Sequence, residues 1–234
     1  AANSAVYTLD RWYTALSNNG GAVTVSRASD TPASGFDKYL QVDVDNSVSP
    51  IAGHHALGQI IQKADMHGFD WGRSGAKQAA LSFNARSSIA GTYYGSLVYT
   101  SGSSITSYVF TYTIPVANEW FRRIVTVPAP LGVESDDDLA TLRIEFSLGG
   151  SDDETLTPNE WVSGDFRRGQ TDNGIMITIG ATLAITGAQL EPIPATQFEW
   201  LPTGVQDELA RRYFQKQLVD SDPIVIGTGV CIST

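Results

Sequence analysis

The chain has little cysteine and no long apolar run. A single cysteine stands among 234 residues, which excludes an internal disulfide and a cysteine-rich metal site. Cys231 has apolar neighbours on both sides, so we expect a buried structural thiol. No apolar run is long enough to span a membrane and no secretory signal is visible, so we expect no membrane insertion. Because the chain does not begin with Met, we expect a processed chain or a piece of a longer one.

Basic residues are also scarce. Fifteen Lys and Arg stand against 25 Asp and Glu, which gives a net charge of −10. Residues 1–117 contain no Glu and balance seven basic against seven acidic residues, whereas residues 118–234 hold eight basic and eighteen acidic ones. Nucleic-acid binding needs Lys and Arg to replace the counterions of phosphate groups. The acidic balance therefore argues against a nucleic-acid partner and is typical of a soluble surface.

Motifs for catalysis and metal binding are missing as well. The chain contains no nucleophile elbow, no zinc-binding HExxH and no phosphate loop. His54 and His55 are adjacent and would point to opposite faces of a strand, so we expect them and His67 to be ordinary loop or surface histidines. Glycoside hydrolysis needs two carboxylates at a fixed separation across a cleft, and nothing in the sequence marks one pair. We therefore predict a protein without enzymatic activity.

Two acidic runs are candidates for a calcium site. Residues 136–138 and 152–154 are rich in carboxylate oxygens, which are the ligands that calcium prefers. Acidic runs in loops are usually solvated, so we predict no cofactor and no metal site. Bound calcium is the minor alternative.

What the chain does contain is strand periodicity. The clearest alternation covers residues 141–148, where Leu142, Ile144, Phe146 and Leu148 share one face. About ten such segments, separated by turn signals at the spacing of a β-sandwich, occupy most of the chain up to residue 190. They cover residues 6–13, 22–27, 39–44, 56–63, 78–86, 92–100, 106–114, 120–127, 141–148, 175–179 and 183–190. The apolar phase slips by one residue at Gly187, which indicates a β-bulge.

A single helix is predicted near the C-terminus, over residues 203–219. Thr203 and Gln206 fit a capping box, acidic residues occupy the first turn, and basic residues follow. The fold class is therefore all-β, an antiparallel two-sheet jelly-roll β-sandwich with one C-terminal helix. We predict a sandwich domain over residues 1–202, the helix, and a β-like tail over residues 220–234. That tail would begin a further domain or form an inter-subunit strand.

Five stretches together resemble a family of phage virion proteins. They are YTLDRWY at residues 7–13, AALSFNARSS at 79–88, EWFRRIVTVPAP at 119–130, TLAITGAQLEPIPATQFEW at 182–200 and DELARRYFQK at 207–216. The family comprises tail-fibre, receptor-binding and virion-surface proteins. Its jelly-roll domain is similar to a carbohydrate-binding module and closes with a GxQLE motif, an ATxFE motif and a helix of the type DELxxRYF.

The resemblance covers residues 6–217, and the closing pair of motifs at 187–191 and 195–199 is its most specific part. The sequence departs from the family at Ala210, where members often carry Cys, and at residues 192–194, where a Gly usually follows QLE. The resemblance implies a phage virion structural protein, a tail-fibre or surface subunit for host attachment. It also implies a location in the virion, other virion proteins as partners, a homotrimer, and a host-surface glycan as a candidate ligand.

Aromatic side chains are the best candidates for ligand binding. Sugars stack their apolar faces on aromatic rings, and Trp71, Tyr93, Tyr94 and Trp161 lie in loops or where one ring must face away from the core. We predict these four as carbohydrate-binding residues. The alternative is that they cap the ends of the sandwich or pack at a subunit interface, where Trp and Tyr are also enriched.

The predicted helix carries the candidate oligomer interface. Tyr213, Phe214 and Leu218 are its large apolar side chains, and they would pack against symmetry mates. Two other functions remain open. One is a carbohydrate-binding module of a bacterial glycan-active enzyme, which would be a monomer. The other is a capsid decoration protein without a ligand.

Charged residues among apolar ones indicate a junction between the two ends of the sandwich domain. Asp10 and Arg11 lie in the opening segment, and Glu191 and Glu199 lie in the closing motifs. Charges in apolar surroundings are usually paired, so we predict a salt bridge that locks the two segments together. A cation bound at the junction is the alternative.

Overall fold

The computed structural model describes residues 4–8, 11–17, 20–48, 53–130, 140–151, 155–169, 174–202, 204–205 and 208. The chain divides into two compact units, Ala1–Trp200 and Leu201–Thr234. In the second unit, residues 204, 205 and 208 are helical. The rest of the predicted helix, the tail after it, Cys231 and the candidate interface of Tyr213, Phe214 and Leu218 lie outside the described residues. Nowhere in the described part is a helix both long and apolar enough to cross a membrane.

The described residues of the first unit form twelve strands in two antiparallel sheets. The strands are β1 Ser4–Tyr7, β2 Trp12–Leu16, β3 Ala22–Ala28, β4 Tyr39–Asn46, β5 His54–Gln62, β6 Ala79–Ser87, β7 Gly91–Ser101, β8 Ser104–Ile114, β9 Phe121–Val127, β10 Thr141–Gly150, β11 Trp161–Ser163 and β12 Thr182–Pro192. A seven-stranded sheet has the order β1-β2-β5-β10-β7-β8-β11, and a five-stranded sheet has the order β3-β4-β12-β6-β9. Short 3-10 turns at Lys63–Asp65 and His67–Phe69 follow β5. The predicted all-β, antiparallel two-sheet jelly roll is confirmed.

The core lies between the two sheets and is aromatic at its centre. Phe83 of β6 packs against Phe146 of β10, with ring centroids 4.9 Å apart, and against Tyr112 of β8 at 5.1 Å. Phe83 and Phe146 are completely buried. Leu142, Ile144 and Leu148 face the same interior, as the alternation along β10 predicts. Burying each such side chain contributes about 1.5–3 kcal/mol, so this interior supplies most of the stability of the sandwich.

Two of the predicted strands differ from the observed ones. The opening segment is not one strand but a hairpin of β1 and β2, closed where the amide of Thr8 donates to the carbonyl oxygen of Trp12 (2.9 Å). Residues 175–179 form turns instead of a strand. Met176 is buried there and its amide donates to the carbonyl oxygen of Leu148 (3.2 Å). The buried residues of this turn, Ile175 and Met176, are consecutive, whereas Ile177 and Ile179 are exposed, so the alternating isoleucines do not mark a buried face.

The bulge predicted at Gly187 is confirmed. The register of β12 against β6 shifts between Thr186 and Gln189, and Gly187 has a φ of 59°. A Cβ at this position would lie 2.8 Å from Cε1 of Phe36. Glycine is therefore required both by the left-handed backbone and by the close approach of an aromatic ring.

The two closing motifs form one hydrogen-bonded unit. The amide and hydroxyl of Thr196 donate to the carboxylate of Glu191 (2.7 and 2.8 Å). The amide of Glu199 donates to Oε1 of Gln189 (2.8 Å), and Nη2 of Arg122 donates to the carbonyl oxygen of Thr196 (2.6 Å). Between the motifs, the Ile193-Pro194 peptide bond is cis. The first motif thus supplies the acceptors that hold the second one in place.

This unit replaces the predicted salt bridge between the ends of the domain. Glu191 is bound by Thr196 of its own segment and lies on β12 in the five-stranded sheet. Arg11 precedes β2, which belongs to the other sheet. Glu191 therefore does not pair with the opening segment, because the two ends of the domain are sorted into different sheets. Asp10 lies outside the described residues.

Candidate functional site

A groove lies where the edge strands of the two sheets meet. The edge strand β11 and the end of the β7–β8 hairpin form one wall, and the segment after β9, the edge strand of the other sheet, forms the opposite wall. The groove has a volume of about 590 Å³, within the range of about 300–1,000 Å³ that is typical of ligand sites. Its lining residues are Tyr99, Ser101, Ser104, Ile105, Thr106, Pro128, Ala129, Asn159, Glu160, Trp161 and Ser163.

Trp161 is the central aromatic side chain of the groove and is half-buried. Its strand pairs with β8 in a register that places Trp161 opposite Tyr108. Its indole Nε1 donates to the carbonyl oxygen of Pro128 (2.7 Å) across the groove. The amide of Gly164 donates to the carbonyl oxygen of Ile105 (2.9 Å), which fixes the chain after β11. The ring is therefore held in one orientation before any ligand arrives.

A cluster of aromatic rings supports Trp161 from behind. Trp71 meets it edge to face with ring centroids 5.9 Å apart, and Tyr108 lies at 5.5 Å. Trp71 in turn contacts Tyr99 at 6.0 Å. Such edge-to-face pairs each contribute about 0.5–1.5 kcal/mol beyond area burial. The cluster makes the floor of the groove rigid and apolar.

Polar groups surround this apolar floor. Ser104, Asn159, Glu160 and Ser163 are exposed along the rim. The amide of Asn159 donates to the carbonyl oxygen of Val109 (2.8 Å), so its backbone is anchored while its side chain stays accessible. An apolar floor with a few convergent hydroxyl, amide and carboxylate groups suits a ligand that has both an apolar face and many hydroxyl groups.

Of the four predicted carbohydrate-binding residues, Trp161 lines the groove and Trp71 lies directly behind it. Trp71 is only 6% exposed, and its indole Nε1 donates to the carbonyl oxygen of Lys77 (2.8 Å). It thus supports the groove floor and cannot offer a ring face to a ligand there. The other two predicted residues, Tyr93 and Tyr94, do not line the groove.

Tyr93 is completely buried between the sheets. Its hydroxyl donates to Oγ of Ser87 (2.7 Å), its ring stacks on Tyr112, and burial raises its pKa. Tyr94 points the other way, as predicted for adjacent strand residues, but it is covered there by Gly169, where a Cβ would lie 2.5 Å from the ring atom Cζ. Tyr93 is therefore too buried to stack on a sugar, whereas Tyr94 is partly exposed and stays a prediction outside the groove.

The outer face of the seven-stranded sheet is covered because residues 164–169 fold back over it. Nη2 of Arg143 donates to Oδ1 of Asp165 (2.8 Å), and the amide of Phe166 donates to Oγ of Ser107 (2.9 Å). This cover explains why His54 and His55, expected at the surface, are both completely buried. A strand that is covered on both faces hides both members of an adjacent pair.

A buried charged cluster lies under this cover. The carboxylate of Glu145 is 1% exposed and accepts a hydrogen bond from the hydroxyl of Tyr13 (2.6 Å). Nε2 of His54 lies 3.2 Å from Oε2 of Glu145, and Nη1 of Arg167 lies 3.8 Å from Oε1. Burial, together with the negative charge of Glu145, raises the pKa of Tyr13 far above its usual value. The cluster is closed off from the groove and serves the packing of the cover.

No set of three or more His, Cys, Asp or Glu side chains that could hold a metal ion is present in the described part of the chain. The acidic runs at 136–138 and 152–154, which are the candidates for calcium, lie outside it. His67 is described and exposed. The groove itself is lined by one carboxylate, that of Glu160, among its described residues.

Most groove residues could not be identified from the sequence. Tyr99 and Ile105 belong to the β7–β8 hairpin, but they meet Pro128 only because the two sheet edges lie side by side. The signal that pointed to Trp161 was an aromatic residue isolated in a polar connection. The same signal pointed to Trp71, which lies behind the floor.

Comparisons with known proteins give structural matches only. No family model matches the chain, and no curated protein matches it significantly. Among solved structures, it is similar to the enzymatically active domain of bacteriophage CBA120 tailspike protein 4, with 16% identity, a TM-score of 0.46 and coverage of 80% of this chain and 20% of that one. A CBM4 structure matches with 14% identity, a TM-score of 0.45 and coverage of 79% and 88%.

A further match is the CBM22-2 xylan-binding domain of Paenibacillus barcinonensis Xyn10C. Its identity is 11%, its TM-score is 0.46, and the match covers 80% of this chain and 94% of that domain. The chain thus spans only 20% of the tailspike protein that it matches but nearly the full length of the binding module. At these identities the likeness concerns the fold only.

Proposed function

We propose that this protein is a non-enzymatic glycan-binding β-sandwich and that the groove at Trp161 is its binding site. The observation that carries the proposal is the fixed, half-buried indole of Trp161 on an apolar floor surrounded by hydroxyl, amide and carboxylate groups. A sugar residue has an apolar face that can stack on such a ring and hydroxyl groups that can bond to the rim.

The number of carboxylates in the described lining of the groove favours a binding role over hydrolysis. Retaining and inverting glycosidases need two carboxylates, about 5–9.5 Å apart, on either side of the scissile bond. Among the described lining residues, Glu160 is the one carboxylate. We propose that binding needs no metal, so that EDTA leaves the affinity for a glycan unchanged.

Substitution of Trp161 tests the site. Trp161→Ala should weaken binding to a glycan found on an oligosaccharide array by about tenfold or more, because aromatic anchors carry much of the energy of an interface. Ile105→Ala shortens an exposed apolar side chain of the groove outside the aromatic cluster, so it should weaken binding less than Trp161→Ala does. Isothermal titration measures both affinities, and melting temperatures show whether each variant is folded.

The matched control is Trp200→Ala. Trp200 is 63% exposed and packs on Phe36 and Phe198, outside the groove. This variant should bind as the parent protein does. If Trp161→Ala and Ile105→Ala bind like the parent while remaining folded, the groove is not the site. If no glycan on the array binds, the function itself is refuted.

We further propose that the biological setting is the surface of a phage virion, where a homotrimer attaches the particle to a host glycan. The support is the resemblance in the closing motifs, whose two halves hydrogen-bond to each other as a unit. Light scattering on a sizing column should give about three times the chain mass of 25.1 kDa. A monomer would favour a module of a bacterial glycan-active enzyme, and binding to assembled capsids without any glycan would favour a decoration protein.

A further inference from the structure

A small pocket adjoins the groove at Tyr99. It is lined by Lys63, Met66, His67, Asp70, Trp71, Arg73 and Tyr99. Tyr99 lines both the pocket and the groove. Trp71, in the pocket, and Trp161, in the groove, are in ring contact at 5.9 Å. The two sites are therefore direct neighbours.

The pocket is lined by positive charge in a chain that is strongly acidic overall. Lys63 and Arg73 are cationic, and His67 adds an imidazole. In the part of the chain that the structure describes, the guanidinium of Arg73 makes no hydrogen bond or ion pair, and it is exposed. Asp70 is the one carboxylate of the lining, and Nζ of Lys77 lies 3.4 Å from its Oδ2. The guanidinium of Arg73 thus offers its N–H donors to an anion.

Backbone hydrogen bonds hold these donors in place. The amide of Arg73 donates to the carbonyl oxygen of Asp70 (3.1 Å), and the amide of Lys77 donates to that of Phe69 (2.8 Å). Asp70 itself has a φ of 53°, so the chain reverses sharply there. The loop that carries His67 and Arg73 is therefore a closed turn, anchored to the aromatic cluster through Phe69 and Trp71 (5.4 Å).

The size of the pocket limits what it can hold. Its volume is about 30 Å³, far smaller than the 590 Å³ of the groove, and suits a substituent of a few atoms. A carboxylate or a sulfate ester attached to a sugar in the groove would fit, and Arg73 would bond it in a charge-assisted, planar arrangement.

We propose that the glycan is acidic, with a sugar ring stacked at Trp161 and a neighbouring carboxylate or sulfate bound by Arg73 in this pocket. The proposal rests on the glycan-binding function of the groove. A carboxylate and a sulfate would both accept hydrogen bonds from Arg73. Two separate pairs of probes distinguish them.

The test uses paired probes that differ only in charge. The full chain is titrated with hexuronate-containing oligosaccharides and with the same oligosaccharides after carboxyl reduction, and in parallel with sulfated and desulfated forms. The acidic member of one pair should bind about 10- to 100-fold more tightly, since a hydrogen bond to a charged group is worth that much. Arg73→Ala should remove this preference and leave the affinity for the uncharged member unchanged.

Arg27→Ala is the matched control. Arg27 is an exposed arginine on the edge strand β3 of the other sheet, and its loss changes the net charge by the same amount. It should keep the preference for the acidic probe. Equal binding of charged and uncharged probes, or a preference that survives Arg73→Ala, would overturn the acidic-ligand proposal. If Trp161→Ala abolishes binding, the groove is still the glycan-binding site, even when the acidic-ligand proposal fails. If no probe binds the parent protein, both proposals are overturned.

Discussion

The buried carboxylate of Glu145 should make this protein lose stability in acid. Burial alone would raise its pKa, but the imidazole of His54, 3.2 Å away, followed by the charges of Arg167 and Arg143, lowers the pKa from 4.5 to about 2. A carboxyl group with a depressed pKa in the folded state stabilises the protein above its unfolded pKa. That contribution disappears as the pH falls through the folded pKa.

The size of the effect follows from the shift. Each pKa unit corresponds to 1.36 kcal/mol, so a fall from 4.5 to about 2 corresponds to about 3 kcal/mol at neutral pH. The loss should take place between about pH 4.5 and pH 2. For a domain of this length, about 3 kcal/mol corresponds to a decrease in melting temperature of about 6–12 °C.

Glu145→Gln removes the charge while keeping the shape and an acceptor for the hydroxyl of Tyr13. We expect it to melt about 6–12 °C below the parent protein at pH 7. It should also lose much less stability than the parent between pH 4.5 and pH 2. Differential scanning calorimetry across this pH range measures both effects.

Glu119→Gln provides the matched control, since Glu119 is an exposed carboxylate in the turn before β9. Its melting temperature should follow that of the parent protein at every pH. If Glu145→Gln were as stable as the parent at pH 7, or kept the full acid sensitivity of the parent, the assignment of stability to this carboxylate would be wrong.

Two further substitutions test the packing of the sandwich and of the closing motifs. Gly95→Ala should cost about 1–3 kcal/mol in urea unfolding, because a Cβ there would collide with the ring of Phe110 and lie 2.7 Å from the carbonyl oxygen of Glu145. Gly204→Ala adds a Cβ with nothing within 4 Å at a helical position, so it should not destabilise the protein. A Gly95→Ala variant as stable as the parent protein would contradict this account. Thr196→Ala removes the hydroxyl that donates to Glu191, so it should lower the free energy of unfolding by about 0.5–1 kcal/mol and speed proteolysis after β12. Thr196→Ser keeps the hydroxyl and should behave like the parent protein. Equal proteolysis of all three proteins would show that this hydrogen bond does not hold the segment.

The sequence was sufficient to predict strands in which buried and outward-facing side chains alternate. In β10, Leu142, Ile144 and Phe146 all face the core, and the slip at Gly187 is a real bulge. Alternation failed at residues 175–179, which form turns in which the adjacent Ile175 and Met176 are buried while Ile177 and Ile179 are exposed. A short alternating run of isoleucines therefore does not by itself indicate a buried strand face.

The candidate site was harder to predict, because it depends on contacts between distant segments. Tyr94 and His54 face outwards from their sheet, and nothing local reveals that residues 164–169 return to cover them. Trp161 and Pro128 are 33 positions apart and meet only across the groove. An isolated aromatic residue in a polar stretch can indicate a site, but only the packing shows which face of the ring stays accessible.

The position of the groove at the paired edges of the sheets has a consequence for how this scaffold can change its ligand. The rim residues Ser104, Asn159, Glu160 and Ser163 are exposed and belong to edge elements, so replacing them leaves the interior between the sheets intact. The aromatic cluster behind Trp161 keeps the floor constant. Selection or a combinatorial library could therefore vary the rim to alter specificity without a loss of folding, as the hypervariable loops of an antibody are varied on a fixed framework.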